Sequence, residues 1–147
     1  MSYLSPAIEK DLKGILERFG CQGGSVHVLS GEQLFLVASV GLPGAMLEVI
    51  SVVPVGKGMA GLAAARKEQV QICNLQTDES GKARPGAKFS GMEGAISVPI
   101  WLEGENTREL KGVLGVGKAV PHEFTADEVT ALIREGTELA KKLAGGG

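Results

Sequence analysis

Residues 53–78 read VPVGKGMAGLAAARKEQVQICNLQTD, and after a long irregular connection come ISVPI at 96–100 and KGVLGV at 111–116. A Gly-rich entry to a short Ala-rich helix, one β-branched strand and then two strands joined by a polar tip form an order with few solutions. The last two strands, 95–102 and 110–118, are separated only by the tip at 103–109, so they pair antiparallel. An open sheet of repeated strand–helix–strand units is therefore excluded, and the chain must build its sheet from hairpins.

The remainder supplies the partners. Ser5 caps a helix with Pro6 at its first position, and Ile8, Leu12, Ile15, Leu16 and Phe19 recur at spacings of three and four until Gly20. Residues 25–29 and 34–40 read as a first hairpin around Ser30-Gly31-Glu32-Gln33. Residues 45–53 fit either a helical stripe (Met46, Val49, Ile50, Val53) or a strand, and the expectation is a short helix followed by a short strand. A helix over 58–67 and a strand over 69–75 come next. Residues 76–94 show no period, a length that in a compact domain marks a lid or a disordered segment. Thr125 and Glu128 form a T-x-x-E capping box ahead of a second amphipathic helix bearing Val129, Leu132, Ile133, Leu139, Ala140 and Leu143. The tail Gly145-Gly146-Gly147 is expected to be disordered.

Two distant hairpins joined edge to edge give a mostly antiparallel sheet, with the terminal helices on one face and residues 45–94 over the other: an α+β domain. At 147 residues the chain makes one domain, 1–147, large enough to bury roughly 68–70% of its unfolded surface. Lys and Arg total 15 against 17 Asp and Glu with no long run of either sign, so neither nucleic acid nor a membrane surface is an expected partner. No apolar run reaches the roughly 20 residues of a membrane helix, and MSYLSPAIEK lacks the pattern of a leader. A cytoplasmic location is expected.

These segments, from about residue 12 to 143, resemble the GAF domain, a small sensor module with an antiparallel, PAS-related sheet. The resemblance implies a pocket between the sheet and the middle segment, an unidentified small-molecule ligand, dimerisation through the terminal helices and output through a separate signalling protein. It also raises an enzyme reading, because free methionine-(R)-sulfoxide reductases share the fold and attack their substrate with a thiolate that a second cysteine resolves. The segments that hold those thiols read GKGMAG and ARPGAKFSGMEGAISVPI here, with Ala60 where that branch has a cysteine and no cysteine from 78 to 97. Cys21 and Cys73 lie outside them, so a reductase using that pair is the alternative, a purely structural dimerisation domain a third reading, and a non-catalytic sensor the expectation. The Asn-Lys motif of cyclic-nucleotide GAF domains is missing after Asn74 and Asn106, as is the Cys-His pair of bilin-binding ones. No cofactor is implied.

Two nucleotide signatures need weighing. Gly56-Lys57-Gly58-Met59-Ala60-Gly61 satisfies G-x-G-x-x-G and has Asp78 about twenty residues on, but hairpins on both sides argue against a dinucleotide fold. GVLGVGK at 112–118 begins like a P-loop, yet Ala119 replaces the Ser or Thr that would hold magnesium. Glycines 112, 115 and 117 instead mark places where the middle segment or a ligand approaches the sheet. His27 and His122 have no companions at metal-ligand spacing, so no metal site is expected. His27 shares a strand face with Ser25 and Leu29, opposite Val26 and Val28, and is either hydrogen-bonded within the fold or in contact with a ligand. The candidate lining of the pocket is Ser25, His27, Ser39, Met59, Met92 and Ser97.

Overall fold

The computed structural model describes residues 4–83 and 90–144, so the disorder expected of 145–147 lies outside the described residues. Four helices and six strands follow in the order α1 (Pro6–Phe19), β1 (Gly23–Ser30), β2 (Gln33–Val40), α2 (Gly44–Ile50), β3 (Val52–Pro54), α3 (Gly58–Arg66), β4 (Val70–Ile72), β5 (Gly94–Gly104), β6 (Thr107–Lys118) and α4 (Ala126–Ala144). The strands form one curled sheet in the order β3-β2-β1-β6-β5-β4, every pair antiparallel.

The terminal helices start where their caps dictate. Ile8 N–H donates to Ser5 Oγ at 3.3 Å, Pro6 begins α1, and Gly20 in the left-handed region (φ 63°) ends it. Thr125 N–H donates to Glu128 Oε1 at 2.9 Å and Glu128 N–H returns a bond to Thr125 Oγ1 at 3.1 Å, the reciprocal capping box of α4. Both helices lie on the rear of the sheet. Ile8, Leu12, Ile15 and Leu16 of α1 and Leu132, Leu139 and Ala140 of α4 pack there with Val26, Val98, Ile100, Leu114 and Val116. Each of the large side chains so buried stabilises the fold by about 1.5–3 kcal/mol. The ion pair of Arg18 with Glu135 (2.8 Å) between the helices, half-exposed, contributes at most about 1 kcal/mol. Apolar burial therefore decides where the helices sit, and their apolar stripes face the sheet.

The front of the sheet is covered by α2 and α3, which pack with the edge strands β3 and β4 in a second cluster built on Leu34, Ile50, Val53, Ala63, Ala64, Val70 and Val113. Strand β4 is shorter than the expected 69–75. The chain leaves β5 after Ile72 because the carbonyl of Cys73 accepts from His122 N–H (3.0 Å) and Asn74 turns the chain through a bond from Gln76 N–H (3.0 Å). The irregular connection is pinned at its two ends: Leu75 N–H donates to Glu93 O at 2.7 Å, and Gln76 Nε2 donates to Met92 O at 2.9 Å. Strands β5 and β6 run further than expected, since Gly104 pairs with Thr107 and only Glu105 and Asn106 make the tip, with Asn106 left-handed (φ 61°).

The G-x-G-x-x-G sequence has its explanation in this front layer. Gly56 (φ 93°) and Gly58 (φ 66°) turn the chain from β3 into α3 in a conformation that disfavours side chains. Gly61 lets α3 sit directly on that turn, where an added Cβ would lie 2.5 Å from Pro54 O. We expect Gly61→Ala to cost about 1–3 kcal/mol by overpacking. Urea unfolding of the two proteins would show it as a lower midpoint at unchanged slope, and an equal midpoint would contradict this contact.

Candidate functional site

The register of the sheet lays its front face out in rows. Ser25 pairs with Gly115, which pairs on its other side with Ser97; likewise Gly23, Gly117 and Ala95 form a row, and His27, Val113 and Pro99 another. Paired residues on antiparallel strands share a face. The floor between the two serine hydroxyls is thus bare backbone: a Cβ at Gly115 would stand 3.3 Å from Ser25 Oγ and 3.5 Å from Ser97 Oγ. The covering layer carries Met46, Val49 and Ile50 from α2, Lys57 and residues 58–60 from the start of α3, and Leu75, Ala83, Ser90 and Met92 from the connection. Small floor residues leave this cover nothing to pack against. A cavity of about 120 Å³ results, with walls mainly apolar.

Among the described residues, His27 is the one titratable group buried in that wall, 1% exposed. Its Nε2 stands 2.7 Å from the carbonyl oxygen of Ile50, the last residue of α2. A carbonyl only accepts, so Nε2 carries the proton and Nδ1 presents a lone pair. Nδ1 is fully buried and has no hydrogen-bond partner among the described residues. Burial holds the imidazole below its ordinary pKa, against the bond to Ile50, which favours the charged form.

Of the six residues singled out in the sequence, Ser25, His27, Met59, Met92 and Ser97 line this cavity. Ser39 does not. It pairs with Ser25 in the register, but sits past the wall in a separate groove with Ser5, Glu9, Leu47 and Ser51. Lys57, Gly58, Ala60, Ile50 and Ser90 also line the cavity and were missed; the Gly-rich entry to α3 was the one signal for the first three of these. The glycines of β6 divide. Gly117, as expected, admits Met92 of the middle segment, whose Cγ would lie 2.9 Å from a Cβ there, and Gly115 leaves the floor open between Ser25 and Ser97. Gly112 answers to neither ligand nor middle segment, because a Cβ there would meet the backbone carbonyl of His27 on β1.

Neither cysteine reaches the cavity. Cys21 is buried in the rear core, its thiol donates to Phe19 O at 3.6 Å, and burial pushes its pKa up, while Cys73 is exposed beyond β4. No group of three or more His, Cys, Asp or Glu that could hold a metal occurs among the described residues. No described helix is long and apolar enough to cross a membrane.

A family model described as the GAF domain matches residues 12–140. No curated protein sequence matches the chain. Among solved structures, the GAF domain of an Acinetobacter phosphoenolpyruvate-protein phosphotransferase is similar at 20% identity and TM-score 0.74, covering 95% of this chain and 80% of that one. The GAF domain region of a putative membrane protein from Geobacter sulfurreducens is similar at 16% identity and TM-score 0.75, covering 94% and 91%. Free methionine-R-sulfoxide reductase from Neisseria meningitidis, in complex with its substrate, is similar at 18% identity and TM-score 0.70, covering 94% and 76%.

The state of His27 has a consequence for stability. The unfolded chain gains a proton on this histidine near the ordinary value of 6.5, whereas the folded chain resists until lower pH. Stability is therefore full above about pH 6.5 and falls as the pH drops from there to the folded pKa, by up to about 1.4 kcal/mol per unit. Glu128, held below the ordinary carboxylate range by Thr125 N–H and His122 against the opposing effect of its partial burial, loses its contribution only at lower pH, below 4.5. Urea unfolding between pH 7.5 and 5 should show the slope in the native protein and a much flatter profile in His27→Gln; equal slopes would refute a buried neutral imidazole.

Proposed function

Because the chain belongs to the GAF domain family, we propose that it is a non-catalytic sensor or regulatory module that binds a small molecule between sheet and cover. One observation carries the reading: a cavity of about 120 Å³ whose wall holds a buried, unpartnered histidine nitrogen. An unsatisfied buried acceptor costs about 1–3 kcal/mol, which a bound donor recovers. The reductase reading has the fold of its relatives in its favour, but both sulfurs lie away from the cavity, one in the rear core and one on the surface. A thiolate mechanism at this cavity has no nucleophile to start from.

On this reading the state of the cavity acts through pairing of copies or through a separate signalling protein, in the cytoplasm. A homodimer through α1 and α4 would use their charged outer faces, since the apolar stripes are already buried. Light scattering at micromolar concentration should return twice 15.2 kDa, and a mass of 15.2 kDa would remove the dimer.

Ligand binding has its own test. A metabolite bound at a hundred times its dissociation constant raises folding stability by about 2.7 kcal/mol. Thermal unfolding against a metabolite panel, with native mass spectrometry of the purified protein, should find at least one stabilising compound. A flat panel together with an empty protein would leave the purely structural reading. Turnover of free methionine sulfoxide that vanishes in Cys21→Ser or Cys73→Ser would overturn the non-catalytic one.

A further inference from the structure

The start of α3 is the second unsatisfied polar feature of the cavity. Lys57 at the N-cap offers no side-chain cap, and the first helical amide with an acceptor is Gly61 N–H, bonded to Lys57 O at 3.1 Å. The amides of Gly58, Met59 and Ala60 have no acceptor among the described residues, and all three residues line the cavity. Free amides at a helix start carry a partial positive charge of about half a unit and bind anions. Lys57 lines the same mouth and adds a full charge, while no aspartate or glutamate is among the described lining residues.

Donors thus converge on one side of the cavity, and an acceptor, Nδ1 of His27, stands in its wall. With Nε2 committed to Ile50, Nδ1 can only accept, so its partner must bring an N–H or O–H. A cationic donor would be buried with no carboxylate to balance it, at high cost. Resting on the cavity reading above, we propose that the ligand is a small organic monoanion with one uncharged hydrogen-bond donor, its carboxylate against residues 58–60 beneath Lys57 and its hydroxyl or amide N–H on Nδ1 of His27. Leu42, Met46 and Leu75 contact a short apolar body between the two ends.

Four matched probes separate the parts: 3-hydroxybutyrate, its primary amide, butyrate and 4-amino-2-butanol, titrated into the full chain and followed by backbone amide NMR. The hydroxyacid should move the resonances of Gly58, Met59 and Ala60 and bind about tenfold more tightly than the neutral amide or the amine. Butyrate, lacking the donor, should bind about fivefold more weakly than the hydroxyacid. Lys57→Ala, an exposed change, should weaken the acids and leave the primary amide untouched, whereas His27→Phe, if folded, should erase the advantage of the hydroxyl. Equal or tighter binding of the amide or amine at cavity residues would overturn this assignment and leave the cavity reading standing. Shifts confined to surface residues, or none from any probe, would likewise overturn it, and the metabolite panel decides the cavity reading separately.

Discussion

The bond from His27 Nε2 to the carbonyl of Ile50 joins the sheet to its cover, and much of the front layer depends on it. The last carbonyls of a helix have no partner within the helix. In α2 the side chain of a sheet residue supplies one for Ile50, while Ser51 Oγ donates to Glu48 O at 3.2 Å. A buried helix end is thereby satisfied and α2 is held at a fixed height over β1. The same bond sets the histidine tautomer. A structural contact on one nitrogen thus determines the chemistry of the other.

Why a cavity forms under α2 rather than a packed core follows from the rows of the sheet. On the rear, Val26, Leu114 and Val98 stand side by side and meet Leu132 and Leu12 from the helices, so nothing is left to fill. On the front, the corresponding positions carry Ser25, Gly115 and Ser97, which project almost nothing toward a cover already held up by His27, Val53 and Val113. Native interiors fill their space to crystal-like density. A floor made small across three strands is the opposite of what packing favours.

How far the sequence could be read depended on whether the signal was local. The caps of α1 and α4 and the alternation Ser25-Val26-His27-Val28 are local, and the face of His27 could be assigned from them. The second strand could not be read in this way. Its run LFLVASV is apolar almost throughout, and a bulge opposite the Val26–His27 step sends both Val37 and Ala38 to the rear, resetting the alternation. Ser39 keeps the face of Ser25, but the cavity wall closes before reaching it, a matter of how α2 crosses the sheet. The start of α3 drew attention as a false dinucleotide motif. Its glycines proved to serve the turn and the packing of α3, while the amides they leave open arise from where the helix begins, which no residue identity announces.

The unsatisfied groups of the cavity are of opposite kinds: amide donors at the start of α3 and one acceptor in the wall. Had they been able to reach one another, folding would have joined them, since each such bond is worth about 0.5–1.5 kcal/mol net. They are held apart because α3 is fixed by Gly61 on the β3 turn and His27 by Ile50, two contacts made without anything in the cavity. Water can satisfy each side separately, but a molecule with an acceptor at one end and a donor at the other satisfies both at once and orders fewer particles in doing so. On the proposed reading, backbone amides and a histidine are the groups by which the fold would distinguish what fits the cavity from what merely fills it.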